Sequence, residues 1–370
     1  MSVKIGNLIG IPIVLHYTWF LALVFISWTL SIGYLPSQYP NLSTKSYWII
    51  GIISTLLLLI SVLLHELSHS YVAKKLNLST SRIVLFIFGG VSQITEEPKD
   101  PSVEFKVSIV GPVTSYILAL IFGILWYGLK QLNYSQLVLA PLHYGMLINA
   151  ALGSFNLLPA FPLDGGRMLR AGLWKRTNDL VKATNIASKI GVAFAYFLMF
   201  IGFVYVIIGG IIGGIWLIFI GWFVKNGSES SMKQTIVGEA LAGFNVSDIM
   251  TKKVHTISEN TTANEIIENF FKHKHGGFPV VKKGELTGCV TIQDVKKVPK
   301  EKWTVTKASH IMTKRKDLIL TTPNEPIVDA MTKMSKHNIG RLPVVDKGGL
   351  IGIISRSDIM HIIKAKTELK

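Results

Sequence analysis

Leu64-His65-Glu66-Leu67-Ser68-His69-Ser70 sits inside an apolar stretch that runs from Tyr47 to Ala73. A stretch of that length and character suits a helix crossing a bilayer, which takes roughly 20 apolar residues to pass about 30 Å of hydrocarbon. His65 and His69 are four residues apart, so on a helix they project from one face. Two imidazoles one turn apart suit a zinc ion, and Glu66 beside them can take a proton from water activated there. Three ionisable side chains in one apolar span are expensive, and such groups are functional by default. The bland alternative is a set of buried polar residues satisfied by bonds between helices.

Working outward, Ile11 to Ile32, Phe105 to Leu129 and Leu137 to Leu158 read as three further spans. The uncharged region Ile190 to Val224 is too long for one crossing and contains Gly209, Gly210, Gly213 and Gly214, so it is expected to turn there and form two. No small-residue cleavage site follows the first apolar stretch, which is expected to remain as an anchor. Basic residues cluster after the second span (Lys74, Lys75, Arg82) and after the fourth (Arg167, Arg170, Lys175, Arg176, Lys182), with Lys225 after the sixth. Six spans then put both termini on the basic, cytosolic side. Between the second and third spans, β-branched and aromatic residues from Ser81 to Ile94 flank Gly89-Gly90, a hairpin signal.

Charge divides the chain. Residues 1–224 carry 14 Lys/Arg and 7 Asp/Glu; the shorter remainder carries 24 and 15. The second part therefore reads as water-soluble. The net charge of +16 is spread over both parts without a dense basic run, so no nucleic acid is expected. A single cysteine, Cys289, excludes an internal disulfide and suits a reducing compartment. The tail also repeats itself. Ile249-Met250-Thr251 recurs as Ile311-Met312-Thr313, Phe278-Pro279-Val280-Val281 as Leu342-Pro343-Val344-Val345, and Leu286-Thr287-Gly288 as Leu350-Ile351-Gly352. Each copy has an amphipathic helix, a Pro-led strand, a second strand and another helix.

A catalytic zinc usually takes a third protein ligand and keeps one position open. The best candidate is Asp164 in Asn156-Leu-Leu-Pro-Ala-Phe-Pro-Leu-Asp164-Gly-Gly-Arg167. Pro159 and Pro162 break the helix, and Gly165-Gly166 permit close backbone approach. Capping the next helix is the alternative role for Asp164. The ligand role is favoured because it completes the site. His16 and His143 are weaker rivals for third donor.

Together, His-Glu-x-x-His in one span and Asn-x-x-Pro…Leu-Asp-Gly in a later one resemble the site-2 protease family, the intramembrane zinc metalloproteases of peptidase family M50. Gly10 to Ile13, Phe88-Gly89-Gly90 and Gly111-Pro112 extend the likeness over most of residues 1–224. The resemblance implies six transmembrane helices with a small β-hairpin or sheet, and one zinc held by His65, His69 and Asp164. It also implies Glu66 as catalytic base and Asn156 holding the substrate carbonyl or its oxyanion. One departure is that members often carry a small or amide residue a few positions after Gly-Pro, where this chain has Val113-Thr114-Ser115-Tyr116; Thr114 and Ser115 are small enough for close helix packing. The substrate expected is a transmembrane segment of another protein in the same bilayer.

The repeats resemble a tandem pair of CBS domains, a cytosolic α/β unit that often binds adenine nucleotides such as ATP or AMP. By that resemblance Asp294 and Asp358 would meet ribose, with Thr291 and Ser355 nearby, while Arg341 and Arg356 could meet phosphate. Each Asp could instead only cap its helix. The organisation expected is a protease domain over 1–224, a linker over 225–245, and modules over 246–300 and 301–370. Association through the modules makes a homodimer plausible. A transporter with the same tail is the rival class, and a non-cutting relic a third. A transporter has no reason to gather His65, Glu66, His69 and Asp164 at one point.

Overall fold

The computed structural model describes residues 2–368 apart from 79, 88, 95–97 and 274. It divides into two compact units, Met1–Thr235 and Ile236–Lys370.

The first unit opens with a hairpin, β1 (Ser2–Leu8) and β2 (Ile11–His16). Ile9 and Gly10 turn it in the left-handed region, at φ 54° and 76°. Helix α1 (Thr18–Thr29), a π turn at Leu30–Tyr34 and α2 (Leu35–Gln38) follow as one apolar rod. Next come α3 (Thr44–Lys75), β3 (Thr80–Phe86) and β4 (Gly89–Ile94). The last five helices are α4 (Pro101–Gln131), α5 (Gln136–Asn156), α6 (Asp164–Thr177), α7 (Leu180–Ile207) and α8 (Ile211–Leu241). The strands form one sheet in the order β1-β2-β3-β4, with β2 parallel to β3. β4 is therefore an edge strand.

Among the described residues, five helices are long and apolar enough to cross a membrane: Thr18–Gln38, α3, α4, α5 and α7. Their exterior is lipid-like and their interior polar. Leu120 and Phe200 are 63% and 66% exposed, whereas Ser54, Thr55, Ser61 and Ser108 are buried. In water such an apolar surface would be a liability; against acyl chains it is the solvated face.

Two expectations change. The first span starts at Thr18 and not at Ile11, because Ile11–His16 is strand. Ile11 and Ile13 pack with Leu67, Ile83 and Leu85 beneath the sheet, and an apolar run does not by itself distinguish a strand from the start of a helix. The segment 225–245, expected as a linker, is helical through Leu241. No proline interrupts α8, and Lys225 pairs with Glu229 one turn on at 2.6 Å. The chain leaves the helix near Gly243, at φ 81°. The turn between α7 and α8 falls at Gly209, at φ 99°.

The second unit contains α9 (Val246–Ile249), β5 (Ile257–Ser258), α10 (Ala263–His273), β6 (Gly277–Lys282), β7 (Glu285–Thr291) and α11 (Ile292–Lys296). The second copy supplies α12 (Ala308–Ile311), β8 (Thr313–Lys314), α13 (Ile327–Lys336), β9 (Arg341–Asp346), β10 (Gly349–Ser355) and α14 (Arg356–Glu368). The strands run β5-β6-β7-β10-β9, with β8 on β7. The repeated motifs interlock across the copies. A side chain at Gly352 would meet Met250 Sδ at 2.6 Å, and one at Gly288 would meet Met312 Sδ at 2.5 Å. Each Ile-Met-Thr segment thus seats its methionine on the other copy's glycine. Consistently, Leu241 and Val246 join the core of the second copy, and Ala308 joins that of the first.

Candidate metal centre and a cleft in the tail

Helix α3 carries His65, Glu66 and His69, with both imidazoles buried. Asp164 is the first residue of α6, reached through the broken segment 157–163. That segment folds back tightly. A side chain at Gly165 would lie 2.2 Å from the Leu157 carbonyl oxygen, and one at Gly166 2.5 Å from the Ala160 carbonyl carbon. Only glycines allow Asp164 to be delivered there. Leu163 is the N-cap of α6 and no side chain caps the helix, so Asp164 is free of the capping role.

Its carboxylate goes to the imidazoles. Asp164 Oδ2 lies 3.2 Å from His65 Nε2 and 3.2 Å from His69 Nε2, and the two Nε2 atoms are 3.2 Å apart. Three donor atoms thus form a near-equilateral triangle. Tetrahedral zinc with bonds of 2.0–2.1 Å sets its donors about 3.3–3.4 Å apart, so the triangle fits the ion. Among the described residues this is the one His/Cys/Asp/Glu cluster with such spacing.

Helix α4 supports the pair from behind. Val107 O accepts from His69 Nδ1 at 2.6 Å, which places a proton on Nδ1 and turns Nε2 toward the centre. Ser115 Oγ bonds His65 Nδ1 at 2.9 Å. A side chain at Gly111 would fall 2.2 Å from His69 Nε2 and 2.6 Å from His65 Nε2, so the space beside the triangle exists because residue 111 is glycine. Ser115 and Val107 escaped sequence reasoning. Ser115 was visible only as a small residue after Gly111-Pro112, and a backbone carbonyl carries no sequence signal.

Glu66 is half-buried and packs against β4, where a side chain at Gly90 would meet its Cγ at 2.5 Å. Asn156 donates Nδ2 to Leu152 O at 3.0 Å within its own helix. The rival histidines are occupied elsewhere. His16 Nδ1 bonds Thr18 Oγ1, and His143 Nδ1 bonds the Tyr39 hydroxyl, each at 2.8 Å. Phe88 lies outside the described residues.

Comparison with known proteins agrees with this chemistry. Residues 53–136 and 124–198 match the profile of Peptidase family M50, and 246–301 and 308–365 match that of the CBS domain. Zinc metalloprotease MJ0392 of Methanocaldococcus jannaschii is 34% identical over 100% of this chain and 99% of its own. The chain belongs to the M50 site-2 protease family. Putative zinc metalloprotease Rip3 of Mycobacterium tuberculosis is 30% identical, covering 98% of this chain and 93% of the relative. The solved Site-2 Protease from Methanocaldococcus jannaschii aligns with 63% of this chain and 95% of its own, at 35% identity and a TM-score of 0.44. This site-2 protease is thus a zinc metalloprotease of the membrane with a CBS pair in its tail.

In the protease's tail, a cavity of about 240 Å³ is lined by Arg341, Ser355 and Asp358 together with Lys253, His255 and His275. Thr291, Asp294 and Arg356 lie outside that lining. Thr291 and Asp294 bond one another: Asp294 Oδ2 accepts from the Thr291 amide at 2.9 Å and from its hydroxyl at 2.7 Å. Arg356 donates Nη2 to Met334 O at 3.0 Å. Arg341 donates Nη1 to Gly277 O at 3.0 Å and remains at the cavity wall. Burial pushes the Cys289 thiol up to about 11, so it stays protonated and takes no part in either site.

Proposed function

We propose that His65, His69 and Asp164 hold one catalytic zinc, that Glu66 is the general base, and that the substrate is a transmembrane segment of another protein. The donor triangle carries this reading. The metal's contribution, when bound, is a water activated near neutral pH and a polarised carbonyl oxygen. Glu66 accepts the proton of the attacking water and returns it to the leaving nitrogen. Asn156 is assigned to hold the carbonyl oxygen, after release from Leu152 O. A transmembrane substrate must unwind before its amide is accessible, because a helix shields each amide with its own hydrogen bonds. The edge strand β4 lies against Glu66 and offers unpaired backbone to such an extended segment.

Six spans, with α8 as the last, place both termini in the cytosol by the distribution of Lys and Arg. In the tail, the cleft at Arg341, Ser355 and Asp358 is assigned to an adenine nucleotide that regulates cleavage. Phosphate would lie toward Arg341 and Lys253, and ribose toward Asp358.

The test is metal analysis and cleavage of a membrane-embedded peptide by the parent, Glu66→Gln and Val91→Pro. Equal zinc in all three, with cleavage reduced about 10²–10⁴-fold in Glu66→Gln, is expected from loss of a general base. Val91→Pro removes a backbone donor from β4, so cleavage should also collapse. Normal cleavage by that variant would reject strand addition. Absence of zinc from the parent would reject the site itself.

A further inference from the structure

One buried ion pair in the first unit has no part in the proposed chemistry. Glu104, in the first turn of α4, and Arg170, on α6, are 1% and 5% exposed. Arg170 donates Nε to Glu104 Oε1 at 2.8 Å and Nη2 to the same oxygen. Its Nη1 reaches Thr235 Oγ1 of α8 at 3.4 Å, and its guanidinium lies 5.4 Å from the centre of the Phe161 ring.

We infer that Arg170, gripped by Glu104, is the positioning residue that keeps Asp164 in register with the two imidazoles. The inference rests on the zinc-ligand reading above. It follows from the face of α4. Glu104, Val107, Gly111 and Ser115 are spaced by three, four and four residues, which is one stripe of a helix, and all four are buried. Ser115 and Val107 bond the imidazoles of α3. Glu104 is the α4 side chain that bonds α6. One rigid helix therefore holds the two ligands of α3 at one place and the helix of the third ligand at another. The distance between them is fixed by helical rise, about 1.5 Å per residue.

A metal site tolerates only about ±0.2 Å in its bond lengths. If α6 slid along α4 by a fraction of that rise, Asp164 would leave the triangle. Buried ion pairs add little net stability over apolar packing of the same volume, so stability alone is a poor reason to keep one here. Two guanidinium N–H groups converging on one carboxylate oxygen hold α6 at a set distance from α4. The contact of Arg170 with Phe161 ties the same side chain to the broken segment that leads into Asp164.

The experiment uses the full-length chain in detergent. Zinc affinity is measured by competition with a chelating dye, and the melting temperature of the metal-free protein is measured separately. Arg170→Lys keeps the charge and loses the converging N–H groups; zinc affinity should fall about 10–100-fold, the range for residues behind a ligand. The double variant Glu104→Leu with Arg170→Leu leaves no buried charge unpaired. It should melt near the parent temperature and still bind zinc as weakly as Arg170→Lys. Parent-like zinc affinity in the double variant would overturn the inference and reduce the pair to glue. Should that variant not fold, Glu104→Gln decides: weaker zinc at an unchanged melting temperature supports positioning, and unchanged zinc overturns it. A parent that binds no zinc, or a His65→Ala variant that binds it equally well, would instead remove the ligand reading.

Discussion

Asp164 in the membrane unit and Asp294 and Asp358 in the tail all stand at the start of a helix, yet they do opposite things. Asp294 and Asp358 turn back on their own chains. Each accepts a backbone amide at 2.9 Å and a hydroxyl at 2.7 Å from the residue three positions earlier, Thr291 or Ser355. Asp164 caps nothing and reaches across to another helix. Asp164 is the first residue of its helix, directly after the N-cap Leu163, whereas Asp294 stands at the third position of its own. A capping box takes its acid from the third helical position, where the side chain can reach back to the N-cap amide. At the first position the carboxylate is available for chemistry, and in an apolar surrounding it must find a cation or a donor.

The largest effect that could break this contrast is expected from Asp164→Ala beside Asp294→Ala. Removing a first-sphere carboxylate should weaken zinc binding by more than the roughly 100-fold that outer-shell losses reach, and cleavage should vanish. Asp294→Ala should leave zinc and basal cleavage as in the parent. Zinc retained by Asp164→Ala would show that the triangle is a packing motif.

Much of this was legible in the residues. The His65/His69 spacing, the break at Pro159 and Pro162, and the tail repeat are local patterns, and local patterns survive without knowledge of the fold. What was hidden is relational. Ile11–His16 is as apolar as a span, and its pairing with Ser2–Leu8 on one side and Ile83–Leu85 on the other makes it a strand. The support from Val107 comes through a carbonyl that every residue type carries. The pairing of Arg170 with Glu104 joins positions 66 apart, with no pattern to connect them. In the tail, the repeat correctly marked equivalent residues in two copies, but equivalence is not equality. One set lines the cavity while Thr291 and Asp294 lie outside it.

That inequality sharpens the comparison within the tail itself. Asp358 both caps α14 and lines the cavity, whereas Asp294 lies outside the lining. Titrating AMP or ATP into Asp358→Ala should show affinity lowered at least about tenfold, as loss of one charge-assisted hydrogen bond of about 1.5–3 kcal/mol implies. Asp294→Ala should titrate like the parent. Equal losses in both variants would mean that nucleotide occupies the two copies alike, and no loss in either would remove the nucleotide from this cleft.

The smallest effect is the cap alone. In Asp294→Ala, the amide and hydroxyl of Thr291 lose their acceptor and the first turn of α11 loses its reciprocal lock. Caps of this kind contribute about 0.5–2 kcal/mol. Helix α11 has only five residues, Ile292–Lys296, so it has little other means of holding its first turn. Faster hydrogen exchange should therefore appear at the amides of Thr291 to Asp294 while those of α14 stay protected. Exchange unchanged at α11 would mean that packing of Val295 in the core holds the helix, and that the carboxylate was kept there for some other partner.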